Sequence, residues 1–130
     1  MKKLALILLL VLVSTPAWAE WTRVGGGDNF DTYADFATIR KRGNTVKMWT
    51  LYDFKTAQQV GGTPPYLSQK FQQEYDCDGE RTRFLAFSEH SGHMGDGNVV
   101  YFKDDARSRW VPVPPESVVE ALWKVACGKQ

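Results

Sequence analysis

Lys70-Phe71-Gln72-Gln73-Glu74-Tyr75-Asp76-Cys77-Asp78-Gly79-Glu80-Arg81-Thr82-Arg83-Phe84-Leu85-Ala86-Phe87-Ser88 reads as two strands joined by a tight turn. Phe71, Gln73, Tyr75 and Cys77 share one face of the first strand, and Lys70, Gln72, Glu74 and Asp76 share the other. Period-two alternation of this kind marks a strand with one buried face. Asp78-Gly79 supplies a two-residue turn whose central positions favour positive φ, and Arg81–Ser88 returns as the partner strand. That turn sets Asp76 opposite Arg81 and Glu74 opposite Arg83. Two opposite-charge pairs on the solvent side then favour this register over a slipped one, at about 0.2–1 kcal/mol each.

Outward from this hairpin the same pattern recurs. Thr45–Phe54 places Val46, Met48, Tyr52 and Phe54 on one face and Trp49 and Leu51 on the other, as expected of a central strand covered on both sides. The aromatic run Trp49, Tyr52 and Phe54 is expected in the core. Weaker strands are expected near 21–24, 31–36, 98–102 and 108–113. Glycine- and proline-rich punctuation separates them at Gly25-Gly26-Gly27, Gly43-Asn44, Gly61–Pro65 and Gly92–Gly97. After Pro114-Pro115 the period changes. Ser117-Val118-Val119-Glu120 has capping-box spacing, Val118, Leu122 and Val125 recur at helical intervals with Val119, Trp123 and Ala126 beside them, and Gly128 is a natural stop. The fold class is α+β: an antiparallel meander of about six strands with one C-terminal helix packed on it.

Met1–Ala19 has the layout of a secretory signal. Lys2 and Lys3 precede the apolar run Leu4–Val13, and Ala17-Trp18-Ala19 forms the small-x-small cleavage site. Ten apolar residues fall short of the ~20 that span a bilayer as a helix. The expected mature domain is 20–130, periplasmic or secreted, without a transmembrane span. No cysteine follows the apolar run directly, so this leader offers no lipid-attachment site there and does not by itself imply display at the cell surface. Cys77 and Cys127 are the only cysteines, and an oxidising compartment favours joining them. The bond would close a loop of about 50 residues, contributing about 4 kcal/mol by the chain-entropy relation. It would staple the helix to the strand that carries Cys77.

Of 16 basic residues, Lys2 and Lys3 leave with the leader, so 14 face 15 acidic ones and the mature charge is about −1. That balance gives no electrostatic reason to expect nucleic acid. Gly25-Gly26-Gly27 lacks the Lys-Ser/Thr and the strand–loop–helix context of a phosphate loop.

Several features recur together in a known family: the Trp49-x-Leu51-x-Asp53 strand, the Asp76-Cys77 strand end, Arg83 with Ser88, Trp110-x-Pro112, Pro115-x-Ser117, Leu122-Trp123 and the terminal Cys127. In this order they resemble the surface-adhesin protein E family of Gram-negative bacteria, over about residues 21–127. The resemblance implies an antiparallel sheet joined to a C-terminal helix by a disulfide. It also implies a non-enzymatic protein whose partner is a host-matrix or envelope protein, with no cofactor.

Three features carry candidate chemistry. His90 and His93 lie in Glu89-His90-Ser91-Gly92-His93-Met94-Gly95-Asp96, where a turn can converge two imidazoles and an acid on zinc or copper; the alternative is a flexible loop with polar tips. Arg40-Lys41-Arg42 forms a basic knob for an acidic partner, or a solvated hairpin tip. Ser88 and Ser91 flank Glu89-His90, but sequence neighbours on a strand point to opposite faces, so no serine–histidine relay is implied and no catalytic residue is assigned. The readings are a secreted binding module, a periplasmic metal-binding protein or enzyme centred on Glu89–Asp96, and a homodimeric envelope scaffold.

Overall fold

Each apolar face in this chain needs a cover, and the architecture is set by where the covers come from. A computed structural model describes residues 20–104 and 108–129, so the leader and its cleavage site lie outside the described residues. Six strands follow one another across a single antiparallel sheet: β1 (Thr22–Gly26), β2 (Phe30–Arg42), β3 (Thr45–Gln58), β4 (Tyr66–Asp76), β5 (Arg81–His90) and β6 (Val99–Asp104). A short β7 (Val111–Pro112) pairs with the start of β5, beyond the reach of β6. The helix α1 (Val118–Cys127) lies on one face.

Beneath α1, Leu122, Trp123 and Ala126 meet Ala34, Val46, Met48 and Tyr75 in one buried cluster. Burying a side chain such as Leu122 contributes about 1.5–3 kcal/mol. Ser117 caps the helix by accepting from the Glu120 N–H at 3.1 Å, and Gly128 ends it in the left-handed region at φ 65°. The capping box is only half made, because the Glu120 carboxylate turns to Lys124 one turn on (3.3 Å). The disulfide Cys77–Cys127 joins the last turn of α1 to the end of β4. At the same junction the Trp123 indole N–H donates to the Asp76 carbonyl at 2.8 Å.

The hairpin β4–β5 keeps its expected register, with Asp76 opposite Arg81 and Glu74 opposite Arg83. Three details differ. The turn is a four-residue loop, Cys77–Glu80, in which Glu80 and not Gly79 takes the left-handed conformation (φ 48°). Its groups are satisfied elsewhere: Cys77 N–H donates to the Asn44 carbonyl, and the Glu80 carbonyl accepts from Val113 N–H. Second, a bulge at Leu85 breaks the alternation of β5, so that Gln73 pairs with Phe84 but Gln72 with Ala86. Third, the charged face is not open solvent. Trp110 lies under both guanidinium groups, 4.4 Å from Arg83 and 5.4 Å from Arg81, and Glu74 is buried.

The other strands depart mainly in length. β2 and β3 extend to a tip at Gly43-Asn44, where Gly43 has φ 61°. β1 runs into Gly25-Gly26, where a side chain at residue 26 would collide with the paired Arg23 and Asp31 side chains. The strand expected over 108–113 shrinks to Val111–Pro112, since a proline offers no N–H to a ladder.

Candidate functional site

The helix covers only part of its face. Beyond it, ring contacts run across five strands: Phe30 to Tyr52 (4.8 Å between centroids), Tyr52 to Phe71 (4.8 Å), Phe71 to Phe84 (5.5 Å) and to Phe87 (6.2 Å), and Phe87 to Tyr101 (5.6 Å). Phe54 joins Phe30 to Tyr66 at one end. The register puts these residues on the side that carries Val46, Met48 and Tyr75. Phe84 and Tyr101 each keep 39% of their surface exposed. A 330 Å³ depression opens among Phe71, Phe84, Phe87 and Lys103. Tyr52 and Phe54 therefore form half-buried surface instead of closed core, and burial raises the Tyr52 phenol above its usual pKa.

The opposite face is covered by the loop that carries the histidines. It is not a flexible hairpin tip: a 3₁₀ turn at His93–Gly95 folds back on the sheet. Asp53 on β3 accepts from the Met94 N–H at 2.9 Å and contacts His93 Nδ1 at 3.1 Å. Ser68 on β4 donates to the Gly92 carbonyl at 2.7 Å and accepts from the Gly95 N–H at 2.8 Å. A side chain at residue 95 would collide with the end of Lys70 and would need the positive φ of 76° that glycine tolerates. This loop covers the fully buried Leu51, which answers the need for a second cover on β3.

His90 and His93 have separate partners. Among the described residues no group of three or more metal-binding side chains converges. His93 faces Asp53 and is largely exposed, whereas buried His90 meets Ser88 Oγ through Nε2 at 2.7 Å. That contact corrects the sequence argument, since Ser88 and His90 are two residues apart and share a face. Burial holds the His90 imidazole below its ordinary pKa, Lys70 adds to the shift and Asp96 opposes it. The unfolded chain takes up this proton near 6.5, and the native state resists it. Stability is therefore full above about pH 6.5 and declines as pH falls towards the lower native pKa. Thermal melts between about pH 7 and pH 5.5 should show this decline, and His90→Gln should flatten it; an unchanged slope in the variant would contradict the assignment.

The basic knob stands at the β2–β3 tip, where Arg40, Lys41 and Arg42 are all exposed. The Arg40 guanidinium donates to the carbonyls of Ala37 (2.9 Å) and Ile39 (3.0 Å), so it braces a bulge in β2. Of the aromatic band, only Tyr52, Phe54 and Phe71 are among the residues singled out from the sequence. Its signal is one or two rings per strand on a common face, and it emerges only once every register is known.

The surface-adhesin protein E family profile matches residues 21–128. No curated protein sequence matches the chain. Structures of Haemophilus influenzae protein E share the fold. One form aligns with a TM-score of 0.66 at 13% identity, covering 88% of this chain and 90% of that one. A second crystal form aligns at 0.65 and 12% identity, covering 88% and 91%.

Proposed function

The chain belongs to the surface-adhesin protein E family, and we propose that it is an exported, non-enzymatic module that binds a protein partner through the aromatic half of its helix-side face. In this reading residues 1–19 direct export and are removed after Ala19, and the partner is a host-matrix or envelope protein. The observation that supports it most is the contiguous, half-buried ring chain from Phe30 to Tyr101, exposed at Phe84 and Tyr101. Aromatic anchors in a shallow apolar depression, with Lys103 on the rim, have the composition of an interface centre.

The test uses the disulfide-bonded mature protein on immobilised basement-membrane extract and on envelope extract. Phe84→Ser with Tyr101→Ser should weaken retention about tenfold or more, a loss of ~1.4 kcal/mol, while the circular dichroism spectrum stays unchanged. Equal retention by the folded variant would sink the proposal. A second reading, self-association, draws on the edge strand β6, where Val99, Tyr101 and Phe102 are all exposed. A mass of two chains in light scattering, lost in the same variant, would assign the band to a homodimer instead.

A further inference from the structure

Across the face opposite α1, a second cluster has no part in the aromatic band. Trp21, Asp35, Thr38, Trp49 and Lys70 line an open 270 Å³ cavity, just below the ~300–1,000 Å³ of drug-sized ligand sites. The register explains why they meet. Asp35 on β2 is directly opposite Trp49 on β3, and Trp21 precedes Thr22, which pairs with Ala34. One row of the sheet therefore carries indole, carboxylate, indole. Lys70 reaches the cavity from β4, where its Cα partner is Leu51.

The chemistry of these groups is specific. Asp35 is only 6% exposed, yet no basic side chain among the described residues pairs with it. Its Oδ1 accepts one bond, from the Ala37 N–H at 3.1 Å, and its remaining acceptor capacity borders the cavity. The second carboxylate oxygen is not sealed off, so it is open to a donor that enters the cavity. Thr38 is partly committed: its hydroxyl donates to the Asp35 carbonyl (2.6 Å) and accepts from the Trp49 backbone N–H (3.0 Å), fixing the local backbone. The free polar groups are thus the acceptor Asp35, with one lone pair of Thr38, and the donors Lys70 and the indole N–H groups of Trp21 and Trp49.

We infer that this cavity is a saccharide site that takes a single pyranose ring. A pyranose presents hydroxyls that donate and accept around an apolar C–H face, which suits an acceptor, a donor and the electron-rich face of an indole. A ligand of one net charge fits less well, because Asp35 and Lys70 oppose each other and one of them repels it. The site shares no lining residue with the aromatic band, so it stands apart from the protein-binding reading.

The test follows the indole N–H signals of Trp21 and Trp49 by NMR in the disulfide-bonded mature protein. Methyl β-D-galactopyranoside, D-glucose and N-acetyl-D-glucosamine are titrated separately, with phosphocholine and tetramethylammonium as charged controls. At least one sugar should shift both indoles saturably, with Kd of about 1 mM, the range of a small polar contact surface. Trp21→Ala removes a ring at the sheet margin, and Asp35→Asn keeps an oxygen for the Ala37 N–H; each should weaken binding about tenfold, seen for Trp21→Ala at the Trp49 signal. Phe84→Ala should leave it unchanged. The inference is overturned if no sugar gives a saturable shift, if the shift survives both cavity variants, or if only the charged controls bind.

Discussion

Replacing Cys77 and Cys127 together by serine is expected to cost about 4 kcal/mol, read as a lower urea midpoint. The bond spans 50 residues of sequence, so the unfolded chain loses a long loop's worth of freedom when it is closed. Its native role is also concentrated in one place. α1 has ten residues, fewer than the ~12–15 at which isolated helices become even marginally stable in water, and it owes its form to docking. Without the bond, helix and sheet are held by Leu122, Trp123 and Ala126 and one indole hydrogen bond. A domain of this size has about 5–15 kcal/mol in all, so much of its margin goes with the sulfurs. Under reductant the unmutated protein should lose stability by a similar amount and bind a hydrophobic dye at Val46, Met48 and Tyr75 as the helix lifts. A double variant within about 1 kcal/mol of the parent would show that the helix docks without its staple.

How far the sequence could be read depended on whether each interaction was local. The β4–β5 hairpin was legible because its charges sit five and nine residues apart, and both pairs formed: Arg81 with Asp76 at 2.6 Å and Arg83 with Glu74. The helix was legible through Ser117, Gly128 and the apolar stripe, and the disulfide because there was only one way to pair two cysteines. What failed was anything that depended on one irregular residue. Extending the hairpin register without a bulge sets Phe71 opposite Ala86 and turns Phe87 to the other face. The extra residue at Leu85 reverses this, placing Phe87 opposite Phe71 and Ser88 opposite Lys70. The aromatic band follows from that single insertion, and nothing in Phe84-Leu85-Ala86 announces it. Likewise Gly92–Gly97 reads as a mobile tip. Its anchors, Asp53 and Ser68, lie some 40 and 27 residues away from the amides they accept from. The cavity at Trp21, Asp35 and Trp49 is a third case, since it needs the β1–β2 and β2–β3 registers together.

Trp123→Ala should have an effect comparable to loss of the disulfide, about 3–5 kcal/mol in the same unfolding experiment. Trp123 is 6% exposed and packs between α1 and the sheet in one cluster with Leu122 and Ala126. Its N–H bonds the carbonyl of Asp76, the residue before Cys77, so truncation leaves a void and an acceptor without its donor. The stronger form of the prediction concerns coupling. Trp123 and the disulfide fix the same junction, one by packing and one covalently, and neighbouring restraints of this kind are not additive. With the bond already gone, the helix end is free to lift and the indole has less to hold. The Trp123→Ala penalty in the cysteine-free background should therefore shrink by about 0.5–3 kcal/mol relative to the oxidised protein. Full additivity would mean that the two contacts stabilise separate parts of the fold, and that α1 stays seated on Tyr75 and Met48 whether or not its last turn is tethered.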